Sequence, residues 1–104
     1  MPPDLDALHK LIRDHNYLLT DHASKRGVER AISSAEIEQA ILSGEVIEDY
    51  PDDKYRPSCL MLGKTETGRI LHVQLSYPPT VKIITLYEPS SDEWEDDWKT
   101  RKAP

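Results

Sequence analysis

Within residues 20–33, which read TDHASKRGVERAIS, His22, Arg26 and Arg30 fall four residues apart. On a helix each such step turns about 40° around the axis, so the three side chains would share one stripe within an arc of roughly 80°. Paired guanidiniums can hold phosphate oxygens in bidentate fashion, and an imidazole beside them can move protons near neutral pH. The same spacing also describes the solvated face of an ordinary surface helix. His72 is a second candidate, because it interrupts an apolar, strand-like run beside Gln74. Its bland reading is a hydrogen-bonded structural histidine. Tyr87 closes the last strand-like run, where a phenol either packs on the core or reaches a site. Placement decides between these readings. If the helix bearing His22 covers the sheet face or edge that displays His72, Gln74 or Tyr87, then acid, base and phosphate clamp converge.

Other chemistries have less to work with. His9, His15, His22, His72 and Cys59 show no close paired spacing of the kind that ligates zinc, so no metal is expected. Cys59 is followed by Leu60, Met61 and Leu62, which predicts a buried, inert thiol. No glycine-rich phosphate loop is present. Trp94 and Trp98 either clamp a last helix onto the core or form a stripe for a protein partner.

The elements that must position these residues follow from periodicity. Leu5, Leu8, Leu11 and Ile12 recur at helical spacing from Asp4 to about Tyr17, with Pro2 and Pro3 as a lead-in. Thr20 or Asp21 can cap a second helix with a thin apolar stripe, weakened by Gly27. The run SSAE, residues 33–36, matches a capping box and starts a third helix near Ser34, with Ile37, Ala40 and Ile41 as its apolar face. Gly44 would end it in a left-handed conformation. Beyond Gly44 the period becomes that of strands: EVIEDY, YRPSCLMLGK, RILHVQLSY and TVKIITLY are separated by turn-forming residues. Four antiparallel strands in a meander are predicted, with Pro57 at an edge or strand start. In the third, Leu71, Val73 and Leu75 share one face while His72, Gln74 and Ser76 share the other. Ser90 or Ser91 can cap a short acidic-led C-terminal helix.

Length and charge bound the whole. The 104 residues suffice for one domain, with an N-terminal helix over residues 1–17 and an acidic helix or tail over residues 90–104. The single cysteine fits a reducing compartment, and residues 1–12 lack the basic start and apolar run of a signal peptide. Cytoplasmic localisation without membrane contact is the expectation. A net charge of −6 opposes non-specific binding to nucleic acid. Residues 88–97, however, hold six of the 19 acidic groups and no basic one, leaving 13 of each sign elsewhere. A locally positive face is therefore allowed.

The runs LTDHASKRGVERAIS, EIEQAILSGEVIEDYPDDK, GRILHVQLSY and VKIITLYEP together resemble the DUF4258 family over about residues 18–89. That family is distantly similar to the RelE/ParE-like toxins and the MqsR-type ribonuclease toxins. The resemblance implies an α+β fold, RelE-like, with N-terminal helices packed on a four-stranded antiparallel sheet and a short C-terminal helix. It implies a toxin of a toxin–antitoxin system, a metal-independent endoribonuclease needing no cofactor, with RNA or the ribosome as target and a zinc-finger or helix-turn-helix antitoxin as partner. The residues it marks are His22, Arg26 and Arg30 from the H-A-x-x-R stretch, His72, and Tyr87 with Glu88. Gln74 and Tyr87 match the Gln and Tyr of the MqsR-type set, with Lys64 as the candidate for its Lys. On this resemblance His22, Arg26, His72 and Tyr87 are catalytic, and Arg30 and Gln74 bind phosphate or substrate. The competing expectation is a non-enzymatic module whose sheet edge or tryptophan stripe holds a protein.

Overall fold

The computed structural model describes residues 4–54 and 56–103. The expected Pro2–Pro3 lead-in lies outside them. The chain runs α1 (Leu5–Arg13), β1 (Leu18–Leu19), α2 (Asp21–Glu29), α3 (Ser34–Ser43), β2 (Glu45–Tyr50), β3 (Ser58–Lys64), β4 (Ile70–Ser76) and β5 (Lys82–Tyr87). It is an α+β protein with a five-stranded mixed sheet in the order β1-β5-β4-β3-β2.

Local chemistry starts each helix. The side chains of Asp4, Thr20 and Ser33 accept from the backbone N–H of Ala7, Ala23 and Glu36, and Ser33 with Glu36 completes the expected capping box. α1 stops sooner than its apolar period suggested, because His15 takes a positive φ of 57°. There its Nδ1 lies 2.8 Å from Glu38, which also accepts from the Tyr17 hydroxyl at 2.5 Å. Gly44 does not take the expected left-handed conformation; its φ of −91° and ψ of 177° are extended. Glycine is needed there for clearance, since a Cβ would come within 2.5 Å of the Ala40 carbonyl oxygen and 2.7 Å of that of Leu62.

The four strands of the meander form as expected, β2 through β5, each antiparallel to the next. The sheet is larger than predicted by β1, which pairs parallel to β5 through Leu18 N–H to Val81 at 3.1 Å and Thr20 N–H to Ile83 at 3.0 Å. Two residues are too short a run to show a strand period, which is why the pattern missed it.

One sheet face carries the core. Met61, Leu71, Val73, Leu75, Ile83 and Leu86 pack beneath Leu8, Ile12, Ala23, Ile37, Ala40 and Ile41 of the helices. α3 sits so close to β3 that a Cβ on Gly63 would fall 1.7 Å from the Ala40 carbonyl oxygen. By alternation and register the other face displays Glu48 and Tyr50, Leu60 and Leu62, His72 and Gln74, and Thr85 and Tyr87.

The predicted C-terminal helix is absent among the described residues. Residues 90–101 fold instead as a turn-rich strap closed by a bridge between Trp94 and Arg101. Asp97 explains the difference: its carboxylate accepts from the N–H of Lys99 at 2.9 Å and of Thr100 at 3.0 Å, and from the Thr100 hydroxyl at 2.9 Å. A short acidic side chain that captures its own downstream backbone competes with helix formation. Trp98, at φ 61°, takes the reversal. Among the described residues no helix is long and apolar enough to cross a membrane.

Candidate anion-binding site

The strap lies across the sheet face that faces away from the helices, and His72 is its floor. This histidine is fully buried. The Trp94 ring stands perpendicular to the imidazole at 4.4 Å between centroids, and the Tyr87 ring packs on it at 5.2 Å. The Trp98 carbonyl oxygen lies 2.7 Å from Nε2. A carbonyl only accepts, so Nε2 carries the hydrogen of the neutral ring and Nδ1 is left as an acceptor. The Tyr87 hydroxyl, 3.2 Å from Nδ1, therefore donates to it. Burial lowers the His72 pKa against the opposing pull of the Trp98 carbonyl and Glu48, and the neutral form prevails. Burial likewise raises the Tyr87 phenol.

Arg101 returns from the strap onto the same patch. Its Nε and one terminal nitrogen donate to the two Glu48 oxygens at 2.8 and 2.9 Å, and its guanidinium lies 4.6 Å over the Trp94 ring. Those hydrogen bonds hold the Glu48 carboxyl below its usual range. Glu48 also accepts from the Tyr50 hydroxyl, whose pKa is pushed up to about 12, chiefly by burial.

α2 forms the other wall. Its buried face is Ala23 and Gly27, which turns Arg26 toward β5 and the strap. Arg30 is the C-cap residue and continues the same stripe. Arg69, just ahead of β4, ties this corner together. It donates to the carbonyls of Arg30 and Ala31 at 3.1 and 2.8 Å, to Glu36 at 3.1 Å and to Glu88 at 3.1 Å. It thus satisfies carbonyls that the end of α2 leaves over and pairs two carboxylates.

Between these walls lies an open cavity of about 450 Å³, lined by Arg26, Arg30, Tyr87, Glu88, Trp94 and Arg101 among others. Arg101 is paired with Glu48, and Glu88 shares the Arg69 guanidinium with Glu36. The side chains of Arg26 and Arg30 have no hydrogen-bond or ion-pair partner among the described residues. Two guanidiniums without a partner among the described residues thus share a lining with a phenol, the exposed Glu93 and the Glu88 carboxylate that Arg69 only partly balances.

The sequence-predicted residues divide accordingly. Arg26, Arg30, Tyr87 and Glu88 meet in the cavity, and His72 supports Tyr87 from below without reaching the opening. His22 stands apart, with Nε2 3.0 Å from the Thr85 hydroxyl. Gln74, across the ladder from Thr85, donates to the Ser58 hydroxyl at 3.3 Å and does not line the cavity. Lys64, at the end of β3 opposite Ile70, lines a different depression. Sequence reasoning missed Arg69, Glu48 and Arg101, whose partners are distant along the chain and leave no local pattern. Among the described residues no three His, Cys, Asp or Glu side chains gather to hold a metal ion.

Over residues 19–88 the chain matches the model of a family described as a domain of unknown function, DUF4258. No curated protein and no solved structure matches it.

Proposed function

Because the chain belongs to the DUF4258 family, whose description carries no activity, we propose its function from the cavity itself: metal-independent cleavage of single-stranded RNA. The observation that carries this reading is the pair of guanidiniums, Arg26 and Arg30, that have no partner among the described residues and stand beside the Tyr87 phenol in one open cavity. Arginines left unpaired at a cleft suit a phosphodiester, whose oxygens accept their forked donors.

In the proposed reaction Arg26 and Arg30 hold the phosphate and balance the charge that builds on it. The ribose 2′-oxygen attacks phosphorus as its proton passes to the Tyr87 oxygen, while the Tyr87 hydroxyl proton passes to Nδ1 of His72. The 2′-oxygen–phosphorus bond forms and the phosphorus–5′-oxygen bond breaks. The proton on His72 returns through Tyr87 to the departing 5′-oxygen. The products are a 2′,3′-cyclic phosphate and a 5′-hydroxyl. His22 and Gln74, which stand outside the cavity on Thr85 and Ser58, take no step in this reaction.

On this reading the chain is a toxin of RelE-like fold in a toxin–antitoxin pair, held in check by a zinc-finger or helix-turn-helix antitoxin. The test is incubation of purified protein with single-stranded RNA in excess chelator. Fragments ending in 2′,3′-cyclic phosphate are expected; intact RNA overturns the reading.

A second reading, a non-enzymatic protein-interaction module, is favoured by a different feature. Val28 and Leu18 are 84% and 61% exposed, and Val28 borders an open groove lined also by Leu19, Ile32 and Ile37. Expression in a bacterial host separates the two: growth arrest relieved by a co-expressed antitoxin supports the toxin, and harmless accumulation in a stable protein complex supports the module.

A further inference from the structure

The strap lies beyond the last residue of the family match, Glu88, yet it forms one wall of the cavity. We propose that it is a working part of the site rather than a cover: Arg101 is a third phosphate-binding guanidinium, and Glu48 is the residue that positions it. This rests on the phosphodiester reading above and extends it to residues outside the family core.

Three observations support a fixed wall. The strap is anchored at separate points on β2, through Arg101 to Glu48 at 2.8 Å and Lys99 to Glu45 at 2.7 Å. Trp94 is buried against His72, and the Trp98 carbonyl lies 2.7 Å from the His72 Nε2, so lifting the strap would break one ring contact and one hydrogen bond to the sheet. The acidic character that would suit a lid over a basic site is mostly spent or turned away. Asp97 is consumed in the chain reversal, Asp96 does not line the cavity, and of the carboxylates on the strap Glu93 alone lines it among the described residues.

Arg101 keeps capacity for a ligand. A guanidinium has five N–H donors; two point at Glu48 and the Tyr50 hydroxyl engages the same fork, which still leaves donors for an anion in the cavity that Arg101 lines. Glu48 fixes the fork and Trp94 fixes its plane, so little rotamer freedom would be lost when phosphate binds. The arrangement would place three guanidiniums around one phosphodiester, two from α2 and one from the strap.

The test is fluorescence anisotropy of a labelled 2′-O-methyl hexanucleotide, which can bind but cannot be cleaved through a 2′-hydroxyl. It uses the full chain and its Arg101→Ala, Arg101→Lys, Glu48→Gln, Arg26→Ala and Arg30→Ala variants, each with a circular-dichroism spectrum. A wall predicts about tenfold weaker binding in Arg101→Ala, the loss of one charge-assisted contact. It predicts partial recovery in Arg101→Lys and weakening in Glu48→Gln. Should Arg101→Ala fail to fold, Arg101→Lys carries the test, with binding weaker than wild type expected. Unchanged or tighter binding in the folded Arg101 variants overturns the proposal, tighter binding marking the strap as a lid. If those variants bind normally while Arg26→Ala and Arg30→Ala bind weakly, only the role of the strap falls. If all bind as wild type, or the wild type does not bind the probe, the phosphodiester reading falls and this inference with it.

Discussion

The Tyr87 hydroxyl donates to Nδ1 of His72 at 3.2 Å, and the direction of that bond is set from the far side of the ring by the Trp98 carbonyl, 2.7 Å from Nε2. A phenol in this position can take a proton from a substrate only by handing its own to the imidazole. Tyr87→Phe should therefore slow RNA cleavage by about 100-fold, the usual worth of one general acid–base group. Binding of the 2′-O-methyl hexanucleotide should stay within about threefold of wild type, because the guanidiniums remain. Single-turnover cleavage beside anisotropy checks both, and a parallel loss of binding would show that Tyr87 holds the ligand instead.

The same burial makes a prediction about pH. His72 has its pKa lowered in the folded protein, so below the unfolded value of about 6.5 the unfolded chain binds the extra proton first. Stability from this residue is complete above that pH and is lost as pH falls through the folded value. The loss steepens toward a limit of about 1.4 kcal/mol per pH unit for one proton. Urea midpoints at pH 7.5, 6.5 and 5.5 should fall in that order, and His72→Gln should flatten the decline. An equal slope in His72→Gln would assign the decline to other groups.

The contact between α3 and β3 allows no side chain at residue 63. The atoms a Cβ would meet are Ala40 backbone, at 1.7 Å from the oxygen and 2.4 Å from the carbonyl carbon, so neither can rotate away. Gly63→Ala should cost about 3 kcal/mol or more, a large share of the stability of a domain this size. Urea unfolding measures it, and a cost under about 1 kcal/mol would mean that α3 can shift.

Arg69 should not tolerate lysine. Its fork serves the Arg30 and Ala31 carbonyls together with Glu36 and Glu88, a geometry that a single ammonium cannot reproduce. Arg69→Lys should lower stability by about 1–2 kcal/mol and weaken hexanucleotide binding by releasing the corner that carries Arg30. Wild-type stability and binding in Arg69→Lys would remove Arg69 from the account.

What could be read in the sequence was local. The Ser33–Glu36 capping box, the Thr20 cap and the four meander strands are written in spacings of two to four residues, and each is present. The His22, Arg26 and Arg30 stripe was legible for the same reason. That only the two arginines reach the cavity was not, because Thr85, 63 residues away, engages His22. The C-terminal helix misled in turn: its serine cap and acidic start are sound helix signals, but Asp97 and the burial of Trp94 against His72 outweigh them. Gly44 was recognised as special for the wrong reason, since clearance from Ala40 and Leu62 is invisible without the packing.

The central claim is that Arg26 belongs to an RNA-cleaving site. Its most direct test is the rate at which Arg26→Ala cleaves single-stranded RNA in chelator, measured beside wild type at equal folded concentration. A drop of about 100-fold, with unchanged circular dichroism, is predicted from the loss of one preorganised charge at the phosphate. Cleavage at the wild-type rate would contradict the account.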